Sequence, residues 1–229
     1  FITLYTNELY RFDEEYRLYY KALSGDGVSG TLSPLTARVE DLYTDWFLPT
    51  LASAWTPFME NHLLKEWEAP GIINQYEFYR RIVGPLLRSN PAPRVAVIIS
   101  DALRYEAARA LTVLLNKKDN FKAEISPMLG VLPSHTALGM AALLPHETLD
   151  YDVSGSVIVD GINSQASNRD KILQQHGGMA ISATDIKNQP RDELRARIGD
   201  SSLIYIYHDR IDETGDSQKS EKEVFQAVA

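Results

Sequence analysis

Val95-Ala96-Val97-Ile98-Ile99-Ser100-Asp101-Ala102-Leu103-Arg104 is the stretch that decides the fold. Four of its first five residues are β-branched, which favours extended backbone. An unbroken apolar run of this kind reads as a parallel-sheet strand buried on both faces. The run stops at Ser100-Asp101, and helical spacing of apolar residues follows over 105–115. A strand that feeds straight into a helix is the first half of a βαβ unit.

Outward from this point, further strands are expected at 121–125, 157–159, 180–182 and 203–207. Helices are expected at 136–144, 169–176 and 191–198. Strands alternating with helices imply an α/β fold with a mostly parallel sheet, flanked by helices on both faces. In the other direction, Ser89-Asn90-Pro91-Ala92-Pro93 reads as a linker. Residues 1–90 read as helical. Tyr5, Leu9, Tyr10, Phe12, Tyr16, Tyr19 and Tyr20 recur at helical spacing, and a Gly/Ser break follows at 24–30. An amphipathic pattern then spans 35–64, with Leu42, Trp46, Leu51 and Trp55 on one face and Pro49 and Pro57 expected to interrupt or kink it. Another helix fits 75–87. These aromatic stripes are expected to be packing surface, with docking to other parts of a larger protein as the alternative. The organisation is therefore a helical region over 1–90 and an α/β domain over 91–229.

Composition bounds the chemistry. With 229 residues, 44% hydrophobic, the chain is long and apolar enough to bury a core. No apolar run reaches the roughly 20 residues that cross a bilayer, and the opening lacks a basic leader, so a cytoplasmic location without membrane contact is expected. A start at Phe1 rather than Met is expected of an excised or processed piece. There is no cysteine, which leaves any metal to Asp, Glu, His or hydroxyl oxygens. Net charge is −8, with 8 basic against 12 acidic residues in 1–90 and 15 against 19 in 91–229. Neither part has the Lys/Arg clusters of a duplex binder, so with a nucleic-acid substrate metal ions or another region must offset the phosphate charge.

Ligands of an open parallel sheet sit beyond the carboxyl ends of its strands. Asp101 follows the first strand, where a carboxylate either binds a metal or caps the next helix. Thr136, in Pro133-Ser134-His135-Thr136, stands at an expected helix start. It is either a nucleophile activated by a metal or a plain N-cap. Ser134 is the competing hydroxyl there, and His135 reads as a surface residue rather than a base. After 203–207 comes His208-Asp209-Arg210-Ile211-Asp212-Glu213-Thr214-Gly215-Asp216, read as a loop of carboxylates able to converge on a hard cation or as a solvated acidic loop. The stretch 217–223 reads as a solvated helix start.

These three segments also carry a resemblance. Val97 to Glu106, Pro133-Ser134-His135-Thr136 with Gly139 to Pro145, and Tyr205 to Asp216 are together similar to the PglZ domains of BREX phage-defence systems, those of type 1 above all. The likeness covers roughly 91–229. It implies the alkaline phosphatase superfamily, with a two-metal site and a Ser or Thr nucleophile. By resemblance Asp101 matches the first aspartate ligand and Thr136 the metal-bound nucleophile. Asp212 and Asp216 match an Asp-x-x-Gly-His element that holds the other metal. Asp216 stands where many relatives have His, which tilts the expectation from Zn²⁺ toward Mn²⁺ or Mg²⁺. The superfamily draws further ligands from later in the chain than Ala229. This stretch alone is thus expected to be an incomplete, inactive half of a phosphoester hydrolase. Arg104 is expected either to hold a phosphate oxygen or to make a helix-surface ion pair. Other BREX proteins are the expected partners, and a phosphate ester, nucleic acid included, the expected substrate. One rival is a non-catalytic scaffold with the same fold. Another is the His-Asp doublet of all-helical phosphohydrolases, read at His208-Asp209, which would require a helix there.

Overall fold

The computed structural model describes residues 1–23, 32–199 and 201–217. The Gly/Ser break at 24–30 and nearly all of the 217–223 stretch lie outside the described residues. In chain order the elements are α1 (Ile2–Leu4), α2 (Tyr10–Leu23), α3 (Ser33–Asp41), α4 (Leu48–Phe58), β1 (Ile73–Asn74), α5 (Gly84–Leu87), β2 (Val95–Ser100), α6 (Tyr105–Asn116), β3 (Met128–Leu129) and α7 (Thr136–Ala142). They continue with β4 (Leu149–Tyr151), β5 (Val157–Val159), β6 (Ile162–Asn163), α8 (Ala166–Gln174), β7 (Gly178–Ser182), α9 (Ala183–Asn188), α10 (Arg191–Ile198), β8 (Leu203–His208) and α11 (Arg210–Ser217). The architecture is α/β, with parallel sheets flanked by helices and a helical N-terminal region. The elements fall into two compact units. The first holds Phe1–Ala69, Ala102–Pro127 and Arg210–Ala229, and the second holds Pro70–Asp101 and Met128–Asp209.

The first unit is built on rings and a buried ion pair. Tyr16 stacks on Tyr43 with centroids 3.8 Å apart, and Phe12 stacks on Phe47 at 4.7 Å. Asp13 accepts hydrogen bonds from the Tyr5 hydroxyl at 2.7 Å and the Tyr43 hydroxyl at 2.6 Å. α2 packs on α6, and there Arg17 lies 3.5 Å from Glu106 with both side chains almost wholly buried. The helix expected over 35–64 forms with little interruption. Its prolines are absorbed rather than disruptive. Pro49 sits in the first turn of α4, after an i→i+5 segment over Leu42–Phe47, and Pro57 lies just before another over Met59–Leu63. Such wide turns leave room for the missing N–H donor. The expected aromatic stripe divides: Tyr10, Tyr16 and Phe47 are buried, whereas Trp46 and Leu42 are about half exposed.

The strand expected at 121–125 does not form. The Asn116 side chain takes the backbone groups a partner strand would need. Its amide donates to the Ala123 carbonyl and its oxygen accepts from the Ala123 N–H, both at 2.8 Å. A strand without a ladder partner has no net advantage over a loop.

The second unit carries a parallel sheet in the order β2-β8-β7, with Val95 opposite Leu203 and Gly178 opposite Leu203 on the other side. Leu203 and Tyr205 of the middle strand are fully buried. They join Val97, Leu138, Leu144, Val159 and Leu173 in one core. The Tyr205 hydroxyl donates to the Leu143 carbonyl at 2.7 Å. β2 departs from the sequence expectation: among the described residues it is an edge strand, and Ile98 is 67% exposed, so only one of its faces is buried. Val157–Val159 is a strand, but in an antiparallel sheet β4-β5-β6. Asp160-Gly161 explains why. Both residues have positive φ, the two-residue turn that joins antiparallel neighbours. The expected 75–87 helix forms irregularly: a 3-10 turn over Gln75–Glu77 and an i→i+5 segment over Tyr79–Val83 precede α5, and just before that turn the short strand β1 pairs with β3.

Candidate functional site

The residues expected to do chemistry divide between the units. Asp101 and Thr136 belong to the second, and Arg104, Asp212 and Asp216 to the first.

Asp101 lies directly past the carboxyl end of β2. Its N–H donates to the His208 carbonyl at 2.9 Å, so the ladder to β8 continues one residue beyond the strand. Beside it, the Ser100 hydroxyl and His208 Nδ1 are hydrogen-bonded at 2.9 Å. The chain then turns sharply at Ala102, whose φ of +58° is unusual for a residue with a Cβ. The N-cap position of α6 is Arg104, not Asp101, and the Arg104 side chain makes no cap.

Arg104 is half-buried, and its charge acts on Glu106. Burial pushes the Glu106 carboxyl up, and the Arg104 and Arg17 charges pull it back only in part.

α7 begins at Thr136, as the sequence implied, but the cap is not Thr136. It is His135, whose Nδ1 accepts from the Leu138 N–H at 3.3 Å. The plain-cap alternative for Thr136 therefore fails. Its side chain is exposed, and its hydroxyl makes no hydrogen bond among the described residues. His135 is a surface residue, as expected, with a positional role that sequence reasoning missed. Its Nε2 lies 3.1 Å from the Tyr151 hydroxyl. Histidine is an uncommon cap, which is why the pattern did not reveal it. Ser134 is exposed in the turn before it.

The third segment differs in kind from the expectation. His208 ends strand β8, and 210–217 form α11 rather than a loop. Asp212 and Asp216 are thus one turn apart on one side of a helix. The placement of His208 on a strand also removes the all-helical phosphohydrolase reading. Below the strand ends, burial pushes the Tyr207 hydroxyl up to about 12, and the Arg169 guanidinium lies 4.6 Å over its ring.

The donor types suit hard divalent cations. The set, however, is not complete: among the described residues no three His, Asp or Glu side chains are gathered closely enough to hold a metal ion. The residues present therefore do not by themselves fit a metal centre. No helix among the described residues is long and apolar enough to cross a membrane.

Residues 78–229 match the family model of the BREX system PglZ alkaline phosphatase-like domain. The alkaline phosphatase-like protein BrxZ of Escherichia coli O9:H4 (strain HS) is 42% identical over 229 residues, covering 97% of this chain and 26% of the relative. The alkaline phosphatase-like protein PglZ of Bacillus cereus (strain H3081.97) is 36% identical over 227 residues, covering 98% of this chain and 26% of the relative. The likeness expected over 91–229 thus runs through the helical region as well. The chain spans about a quarter of the length of these relatives. No solved structure matches it.

Proposed function

The chain belongs to the PglZ family of BREX alkaline phosphatase-like domains, and from that premise we propose that it carries the nucleophile-bearing part of a metal-dependent phosphoester hydrolase acting in BREX antiviral defence. The observation that carries the reading is Thr136. Its hydroxyl is exposed at the first position of α7, is relieved of capping by His135, and belongs to the same unit as Asp101. In this reading the Thr136 oxygen attacks phosphorus, the ester oxygen leaves, and water later releases the phosphoryl group. Divalent ions of the kind found in the wider superfamily would acidify the threonine and screen the phosphate. Asp101 and Thr136 in the one unit, and Asp212 and Asp216 in the other, are each proposed as metal ligands of the full-length protein. The remaining ligands are assigned to parts of the full-length protein outside 1–229. Zn²⁺, or Mn²⁺ or Mg²⁺ given the carboxylate at 216, is the proposed metal. Arg104 is proposed to hold a phosphate oxygen. A phosphodiester, nucleic acid included, or a phosphomonoester is the proposed substrate, and other BREX proteins are the proposed partners in the cytoplasm. The net charge of −8 supports a role for metal ions against a phosphate.

A second reading, a phosphatase-like scaffold without catalysis, is favoured by one observation. No three ligands of a metal ion come together among the described residues. The two readings separate in the full-length protein by metal content and by hydrolysis of bis-p-nitrophenyl phosphate with Zn²⁺ or Mn²⁺. The enzyme reading expects bound metal and turnover that falls at least a hundredfold in Thr136→Ala and in Asp212→Ala, the order seen when a catalytic group is removed. A metal-free protein without turnover would leave the scaffold.

A further inference from the structure

We propose that Tyr151 is a positioning residue for Thr136, acting through His135. The inference rests on the reading of Thr136 as nucleophile and names a residue that neither the resemblance nor the sequence pattern points to.

The chemistry of the ring sets the direction of each bond. His135 Nδ1 accepts from the Leu138 N–H, so in the neutral imidazole the ring hydrogen is on Nε2. That N–H then donates to the Tyr151 oxygen at 3.1 Å, with the two rings 6.3 Å apart by centroid. Tyr151 thereby fixes both the tautomer and the rotation of the residue that caps α7. Thr136 is the next residue along the chain.

The hydroxyl is presented by a braced hairpin. Tyr151 ends β4 opposite Val157 of β5. Val157 and Val159 are buried in the core, and α7 packs on β5. Past Tyr151, Asp152 Oδ1 accepts from the Ser154 N–H at 2.8 Å, the Ser154 hydroxyl at 2.6 Å and the Ser156 N–H at 2.9 Å. Tyr151 itself is 48% exposed, so little of the core depends on its hydroxyl. A solvent-facing hydrogen bond that joins a rigid hairpin to a helix cap next to an exposed hydroxyl contributes little to stability. It does restrict where the first turn of α7, and Thr136 with it, can sit. Reactivity is sensitive to displacements of about 1 Å.

The test is a double-mutant cycle in the full-length protein, with bis-p-nitrophenyl phosphate and Mn²⁺, reading kcat and KM separately. Tyr151→Phe is expected to lower kcat about fivefold, the rate equivalent of one neutral hydrogen bond, with KM within a factor of two and the melting temperature unchanged. His135→Ala is expected to lower kcat as well, and Tyr151→Phe to add nothing on top of it. His135→Asn, whose side-chain oxygen can take over the cap, is expected to recover part of the rate. A Tyr151→Phe effect that is absent, confined to KM, or equally large with and without His135 overturns the inference while Thr136→Ala still abolishes turnover. If the wild type shows no turnover, or Thr136→Ala retains it, the nucleophile reading falls and this inference with it.

Discussion

The two units reach stability by different routes. The second is held by an aliphatic core and strand ladders, with Leu173, Leu203, Val159 and Tyr205 at or near zero exposure. The first has stacked tyrosines and phenylalanines around a buried carboxylate and a buried ion pair. Apolar burial is additive and tolerant of small shifts, whereas buried charge is stabilising only while its partners stay in place. The two interiors are therefore expected to fail differently, by volume in one and by polarity and pH in the other.

The largest effect belongs to the sheet. Tyr205→Ala removes a fully buried ring from the middle strand and leaves the Leu143 carbonyl without its donor. A loss of about 3–5 kcal/mol is expected in urea unfolding. Tyr205→Phe keeps the volume and is expected to lose about 1–2 kcal/mol. Equal losses in the two variants would mean that polarity, not volume, governs this core, and the contrast between the units would collapse.

Arg17→Met comes next, in the other unit. Burial already pushes the Glu106 carboxyl up, and removing Arg17 takes away one of the charges that opposes this. Breaking a buried pair on one side costs about 3 kcal/mol at neutral pH. The pH dependence sharpens the contrast. A carboxyl raised on folding contributes most below its unfolded value of about 4.3, and that contribution is lost as pH rises through the folded value. The variant is thus expected to approach the wild type at pH 4 and to diverge from it as pH rises to 7. A difference independent of pH would mean that Glu106 stays ionised throughout.

The contrast also explains how much could be read from the chain. β2, β8 and α10 match their expected spans because alternation and β-branching respond to neighbours close in sequence. The 121–125 strand cannot be decided from its own residues, because its fate depends on one side chain, Asn116, which takes its backbone groups. The edge position of β2 was invisible for a related reason: an apolar run does not say how many faces will be covered. Among the site residues, Thr136 stands at the expected helix start, and only its capping alternative falls, because a histidine cap has no strong signature. The acidic segment reads as a loop because Gly215 suggests a turn. In fact Asp212 and Glu213 sit in the first turn of α11, where the helix dipole favours negative charge. Asp160-Gly161, by contrast, is a legible Asp-Gly hairpin signal that the reading of the chain as alternating strands and helices leaves out.

Asp160 also supplies the smallest and most discriminating test. Burial alone would push its carboxyl up, but hydrogen bonds from the Thr148 and Glu147 amides and the Thr148 hydroxyl outweigh that and hold it below the usual range. The amide bonds measure 2.7 Å from Thr148 and 3.0 Å from Glu147. Asp160→Asn keeps a residue that tolerates positive φ, so the turn is preserved and only the charge is removed. The site is exposed, so a loss of about 0.5–1 kcal/mol is expected at pH 7. The sign runs opposite to that of Glu106. A depressed carboxyl contributes above its unfolded value of about 3.9 and loses that contribution as pH falls through the folded value. Both gaps to wild type therefore open as pH rises, but in different windows: that of Asp160→Asn at and below about 3.9, and that of Arg17→Met above about 4.3. Gaps that open over the same pH window in the two variants would show that the carboxylates share one environment, and that the distinction between a charged interior and a charged rim is false.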